Sequence, residues 1–279
     1  MSRFIEFRKQ GGHRVAGTAE PCWDGIEQHL VSLLASSSFA AEQYRVLRHL
    51  VESMHKDRGL RVLAVTSSAI GDGKTTTAIN LAGALAQAPE TRVLLVDADL
   101  RRGAVQERLG LGDVESPGLV DAIVTPNTSL ADVVRRCHPF GLSVLPAGRE
   151  TAIPYEVLKS PRVGELFEEA RQHYDYVVLD TPPFVPVPDC RVIAKCVDGF
   201  LLIVAAHKTP RKLVEAALDV MDPAQLVGLV FNGGTERPFA RYYGHYATHG
   251  ESRNGHRTNW WSRVTKRGGD SRLRSEVSQ

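Results

Sequence analysis

The 279 residues carry 43% hydrophobic and 24% charged side chains at a formal net charge of +2, the proportions of a globular chain with a real core and not of a disordered or fibrous one. No stretch approaches the roughly 18 apolar residues of a membrane span, and no signal-peptide h-region opens the chain, so a cytoplasmic protein is expected. The charge is unevenly placed: residues 233–279 hold nine Lys and Arg against four Asp and Glu, which leaves that stretch at +5 and the remainder at −3.

Residues 1–37 lack a sustained period apart from a short amphipathic pattern over 26–34, and read as an arm docked in part. Tyr44, Leu47, Leu50 and Val51 then recur at helical spacing, which predicts a helix over 40–54. From there short β-branched runs alternate with helical ones. Strands are predicted over 61–67, 92–97, 142–146, 176–180, 200–205 and 226–231, and helices over 74–87, 163–173, 190–195 and 211–221. Such alternation implies right-handed crossovers and a mostly parallel sheet covered by helices on both faces, a three-layer α/β fold. The nearly continuous apolar strands suit a sheet buried on both sides. The pattern stops after Phe231. Three parts are therefore expected: an arm (1–37), one domain (38–232), and a basic tail (233–279) that is largely disordered. The four cysteines, Cys22, Cys137, Cys190 and Cys196, have neither CxxC nor zinc-ligand spacing and read as ordinary reduced thiols.

The strand over 61–67 runs into Ser68-Ala69-Ile70-Gly71-Asp72-Gly73-Lys74-Thr75-Thr76 and then a helical pattern. Glycines at 71 and 73 let backbone N–H groups curl around phosphate oxygens, and the positive end of the helix faces the same point. Gly71, Asp72, Gly73, Lys74, Thr75 and Thr76 are thus the expected cradle for ATP. Lys74 reaches the β- and γ-phosphates, and the Thr75 hydroxyl is a ligand for Mg2+. Ser68 stands where the GxxxxGK[ST] pattern has its first glycine. Two apolar strands end in carboxylates, at Asp97-Ala98-Asp99-Leu100-Arg101 and at Asp180-Thr181-Pro182-Pro183. In an open α/β sheet such ends face the ligand, where magnesium takes oxygen donors. Either aspartate alone would read equally well as a helix cap; two beside a P-loop do not.

Together these motifs resemble the nucleotide site of the bacterial tyrosine kinases of capsule and exopolysaccharide systems (BY-kinases). The loop matches their Walker A motif, Asp97, Asp99 and Arg101 match DxDxR, and Asp180 with Pro183 matches the Walker B ending DxxP. Glu42, Arg45 and Arg48 fit the family's ExxRxxR helix, which packs against a neighbouring subunit in ring-shaped oligomers; on the residues alone they are an ordinary surface pair. The resemblance covers roughly 39–232. It implies ATP-dependent autophosphorylation on tyrosine, control of polysaccharide synthesis or export, and a separate membrane-bound activator that recruits the protein to the inner face of the membrane. Nucleic acid is not an expected partner.

On the same resemblance Lys74, Asp97, Asp99 and Asp180 are the catalytic set. Asp97, near the metal, orients or deprotonates the tyrosine, and Asp97, Asp99 and Asp180 join Thr75 as the expected Mg2+ set. Asn232 is either an adenine contact or a turn residue. Tyr242, Tyr243 and Tyr246, just beyond the last strand, are the expected acceptors, although the family's tyrosine cluster usually lies at the extreme C-terminus. The competing reading is a partition- or division-type ATPase switch. Its signature lysine early in the P-loop would fall at Ala69, which argues against it.

Overall fold

The computed structural model describes residues 26–112 and 116–233. The acceptor candidates Tyr242, Tyr243 and Tyr246, the rest of the basic tail, Cys22 and the first part of the arm lie outside the described residues.

Seven strands form one sheet in the order β3-β4-β2-β5-β1-β6-β7. They are β1 (Val62–Ser67), β2 (Val93–Asp97), β3 (Arg135–Cys137), β4 (Leu142–Leu145), β5 (Tyr176–Asp180), β6 (Gly199–Ala205) and β7 (Leu226–Asn232). All neighbours are parallel except the edge pair β3 and β4. The mostly parallel expectation is met, with β3 as an addition: a three-residue strand carries no readable period.

Strand alternation sends residues to two separate cores. Leu63, Val65, Leu95 and Val178 meet α3 (Lys74–Ala86), Val51 of α2 (Phe39–Arg58) and Leu33 of α1 (Val31–Leu34). Val62, Ala64, Val96, Val177 and Phe200 meet the other layer, including α5 (Leu119–Val124), α7 (Pro154–Leu158), α8 (Pro161–His173) and α9 (Asp189–Ile193). α8 shows why a helix forms there. Val163, Leu166, Phe167 and Ala170 recur on one face and are buried, and Pro161 opens it where a missing N–H costs nothing. α2 runs longer than its apolar period: Ser38 caps it through the Ala41 N–H, and left-handed Gly59 ends it. Short α4 (Val105–Arg108), α6 (Leu130–Val133) and the amphipathic α10 (Arg211–Val220) complete the α-helices among the described residues, and a 3-10 turn (Pro223–Gln225) leads into β7. None of these helices is long and apolar enough to cross a membrane.

Candidate nucleotide site

The sheet order places the motifs side by side. β5 lies between β1 and β2, and the register pairs Asp97 with Asp180 across β2 and β5. The phosphate loop leaves the end of β1 next door. Sequence positions more than a hundred residues apart therefore converge at the carboxyl ends of three adjacent strands, where ligands of such sheets bind.

The loop is held in shape before any ligand arrives. Gly71 and Gly73 take φ of 81° and 93°, a left-handed backbone open to glycine. A Cβ on Gly73 would lie 1.9 Å from Nδ2 of Asn232. That Asn232 amide donates to the Asp72 carbonyl at 3.1 Å. The Asp72 carboxylate accepts the Ala69 N–H at 3.0 Å and the Thr209 hydroxyl at 2.7 Å. Asp72, expected to touch the cofactor, thus commits its side chain to the loop itself. Lys208 braces the outside by donating to the Gly71 carbonyl at 3.2 Å.

Lys74 points at the carboxylates. Its ammonium lies 2.7 Å from Asp99 and 3.7 Å from Asp180. Burial pushes the Lys74 pKa down, but the charges of Asp180 and Asp99 outweigh it and hold the ammonium above its ordinary value. Asp180 is wholly buried, and neither of its oxygens accepts a hydrogen bond. Burial lifts its carboxyl to about 6, with Lys74 opposing. Asp97 is lifted to about 7, by burial first and then by the Asp180 charge beside it. Its oxygens accept the Val105 N–H at 3.0 Å and the Asp99 N–H at 3.3 Å.

Thr75, Thr76, Lys74 and Asp99 line a cleft of about 480 Å³ together with Pro182, Pro183 and Pro186. Among the described residues no three His, Cys, Asp or Glu side chains cluster so as to hold a metal ion unaided. The donors nonetheless suit magnesium. They are hard oxygens, and the buried Asp180 carboxylate has the Lys74 ammonium 3.7 Å away but no hydrogen-bond donor in place. Magnesium characteristically takes one or two carboxylates and completes its shell with water and substrate phosphates.

The partners of several residues in and around the cleft are not legible in the sequence. Arg101, part of DxDxR, forms a two-pronged pair with fully buried Asp189 at 2.7 and 3.0 Å. Asp189, at the head of α9, reads from sequence equally as part of a nucleotide-sensing loop or as a helix cap. Arg108 of α4 reaches the Thr76 hydroxyl. On α2, Arg45 pairs with Glu42 and donates to the Ser36 carbonyl. Arg48 pairs with Glu52 at 2.7 Å and donates to the Ala84 carbonyl at the end of α3, at 3.0 Å. Phe39, Val46 and Leu50 share a different face of α2, opposite Arg48, and stand 44–53% exposed.

A family model described as an AAA domain matches residues 60–203. Tyrosine-protein kinase YwqD of Bacillus subtilis is 31% identical over 225 residues, 80% of this chain and 93% of that protein. The chain belongs to the bacterial tyrosine-kinase family. A second kinase relative, tyrosine-protein kinase CpsD of Streptococcus agalactiae, is 29% identical over 225 residues, 79% of this chain and 94% of that protein. The kinase domain of Escherichia coli tyrosine kinase ETK superposes with a TM-score of 0.68 at 27% identity, covering 81% of this chain and 86% of that one. This kinase therefore has a P-loop α/β fold, and its relatives favour tyrosine phosphorylation over a partition-type switch.

Proposed function

We propose that the kinase transfers the γ-phosphoryl group of ATP to tyrosine hydroxyls of its own tail, with residues 38–232 as catalytic domain and 233–279 as acceptor tail. The observation that carries this reading is the convergence of Lys74 with buried Asp97, Asp99 and Asp180 at adjacent strand ends. Phosphoryl transfer asks a protein mainly for positioning and charge neutralisation. The amides of Gly71, Asp72 and Gly73 cradle phosphate oxygens, and Lys74 leaves Asp99 to face the β- and γ-phosphates. Asp180, Asp99 and Thr75 hold magnesium, directly or through water. Magnesium, when bound, neutralises charge on the phosphate oxygens. Asp97, lifted to about 7, takes the phenolic proton as the tyrosine oxygen bonds to phosphorus and the bond to ADP breaks. Asn232 acts here as a brace of the loop. The adenine role suggested for it rests on the family resemblance.

We further propose ring-type self-association through α2, supported by the exposed apolar face of Phe39, Val46 and Leu50 and by the family resemblance of Glu42, Arg45 and Arg48. The family resemblance supports a role in polysaccharide synthesis or export and recruitment by a membrane-bound activator to the inner face of the membrane. The test is the full chain with Tyr242, Tyr243 and Tyr246 all changed to Phe, incubated with ATP and magnesium. The variant is expected to lose its phosphotyrosine. Wild-type incorporation in the variant would place the acceptors elsewhere.

A further inference from the structure

The segment ahead of α2 is tied to the helix that begins at the phosphate loop. Ile26, Leu30 and Leu33 are buried in the same core as α3. Gly83 of α3 lets Leu33 approach so closely that a Cβ there would lie 2.6 Å from its Cδ2. Asn80, also on α3, accepts the Ser32 N–H at 2.8 Å and donates to the His29 carbonyl at 3.0 Å.

At its start this segment grips Arg108. The Glu27 N–H donates to the Arg108 carbonyl at 3.0 Å, and Arg108 Nη1 donates to the Glu27 carboxylate at 2.9 Å. The same Nη1 donates to the Thr76 hydroxyl at 2.9 Å. Arg108 lines the cleft with Lys74, Thr75 and Thr76. Nη1 is therefore committed, while Nε and Nη2 have no partner among the described residues. A guanidinium anchored at one nitrogen, with its remaining donors directed by a planar fork, is suited to phosphate. Anchoring also removes rotamers that binding would otherwise have to freeze.

We propose that Arg108 is a phosphate-binding residue of the cleft and that Glu27 is its positioning residue, so that docking of residues 26–34 sets the affinity for nucleotide. This rests on the nucleotide reading of the cleft and adds to it a link to the arm. By linkage the effect runs both ways, and bound nucleotide holds the segment down.

The test is calorimetric titration of the full chain with ADP plus magnesium chloride, and separately with adenosine. Arg108→Ala weakens ADP by about tenfold, the scale of one charge-assisted contact, and leaves adenosine unchanged. Glu27→Gln weakens ADP by about threefold in the wild-type background and has no further effect once Arg108 is alanine, the mark of action through that residue. Arg108→Lys keeps the charge without the fork and falls between; it carries the test should the alanine variant misfold. An ADP affinity untouched by Arg108→Ala overturns the proposal alone. So does a Glu27→Gln effect of equal size in both backgrounds. A wild-type chain that binds neither ligand overturns the nucleotide reading and the proposal with it.

Discussion

Changing Lys74 to Met removes the cation that two buried carboxylates share, and its consequence for stability depends on pH. The ammonium lies 2.7 Å from Asp99 and 3.7 Å from Asp180, with the three side chains 12%, 4% and 0% exposed. Methionine keeps most of the stem volume, so the packing loss stays under about 1.5 kcal/mol. Stripping one partner from a buried ion pair costs about 3–5 kcal/mol where the stranded carboxylate must stay ionised. At low pH it need not. Burial already holds Asp180 at about 6 against the pull of Lys74, and without that pull its pKa climbs further. A carboxyl whose folded pKa exceeds its unfolded value of about 3.9 binds its proton better in the folded state. The stability this contributes is complete below the unfolded value and is lost as pH rises through the folded one. The gap between wild type and variant therefore opens above about 6. Urea unfolding should show a loss of about 1 kcal/mol at pH ~5 and about 3 kcal/mol at pH ~8. Phosphoryl transfer should fall by about 10²–10³ or more, as when a preorganised electrostatic donor is removed. Equal destabilisation at both pH values, or undiminished turnover in a folded variant, would refute the assignment of Lys74.

The other expectations are narrower. If Asp97 is the base, it works only when ionised, so kcat/KM for a tyrosine substrate rises through about pH 7, and Asp97→Asn removes that limb; a flat wild-type profile points to another group. Gly73→Ala demands a left-handed alanine and places its Cβ 1.9 Å from Asn232. The backbone alone costs about 1–2 kcal/mol, so ADP should bind about tenfold more weakly, with partial recovery when Asn232→Ala is added. Arg45→Ala should reduce self-association in sedimentation with ATP and magnesium while leaving stability within about 1 kcal/mol. Arg48→Ala should do the same and also lower stability by about 1 kcal/mol, because Arg48 donates to the Ala84 carbonyl; unchanged sedimentation for both would return α2 to a solvated face.

What the sequence disclosed followed from the range of the interactions involved. β1, β2 and β5 were legible because each is an unbroken apolar run ending in a polar residue, and the start of α3 because Gly73 and Lys74 mark it. The acidic ends could be assigned to one site because a parallel sheet brings strand ends together whatever their separation in sequence. β3 and the short helices α4 and α6 carry three or four residues each, too few for a period to appear. Side-chain partnerships across long separations left no local trace. Asp189 reads as a helix start in sequence, and nothing near it names Arg101, 88 residues away, as its partner. Glu27 and Arg108, 81 residues apart, are equally silent. Asp72 shows the same limit: its place inside the P-loop suggests a ligand contact, and nothing near it in sequence discloses that its carboxylate accepts from Thr209, 137 residues away.

Mass spectrometry of the purified full chain, before and after incubation with ATP and magnesium, reads the kinase assignment without a partner or a chosen substrate. Phosphate should appear on tyrosine in the wild type, at Tyr242, Tyr243 or Tyr246, and be absent from Lys74→Met under the same conditions. ATP hydrolysis by the wild type with no phosphotyrosine formed, alone or in mixtures of intact and Lys74→Met chains, would contradict the assignment and favour a nucleotide switch.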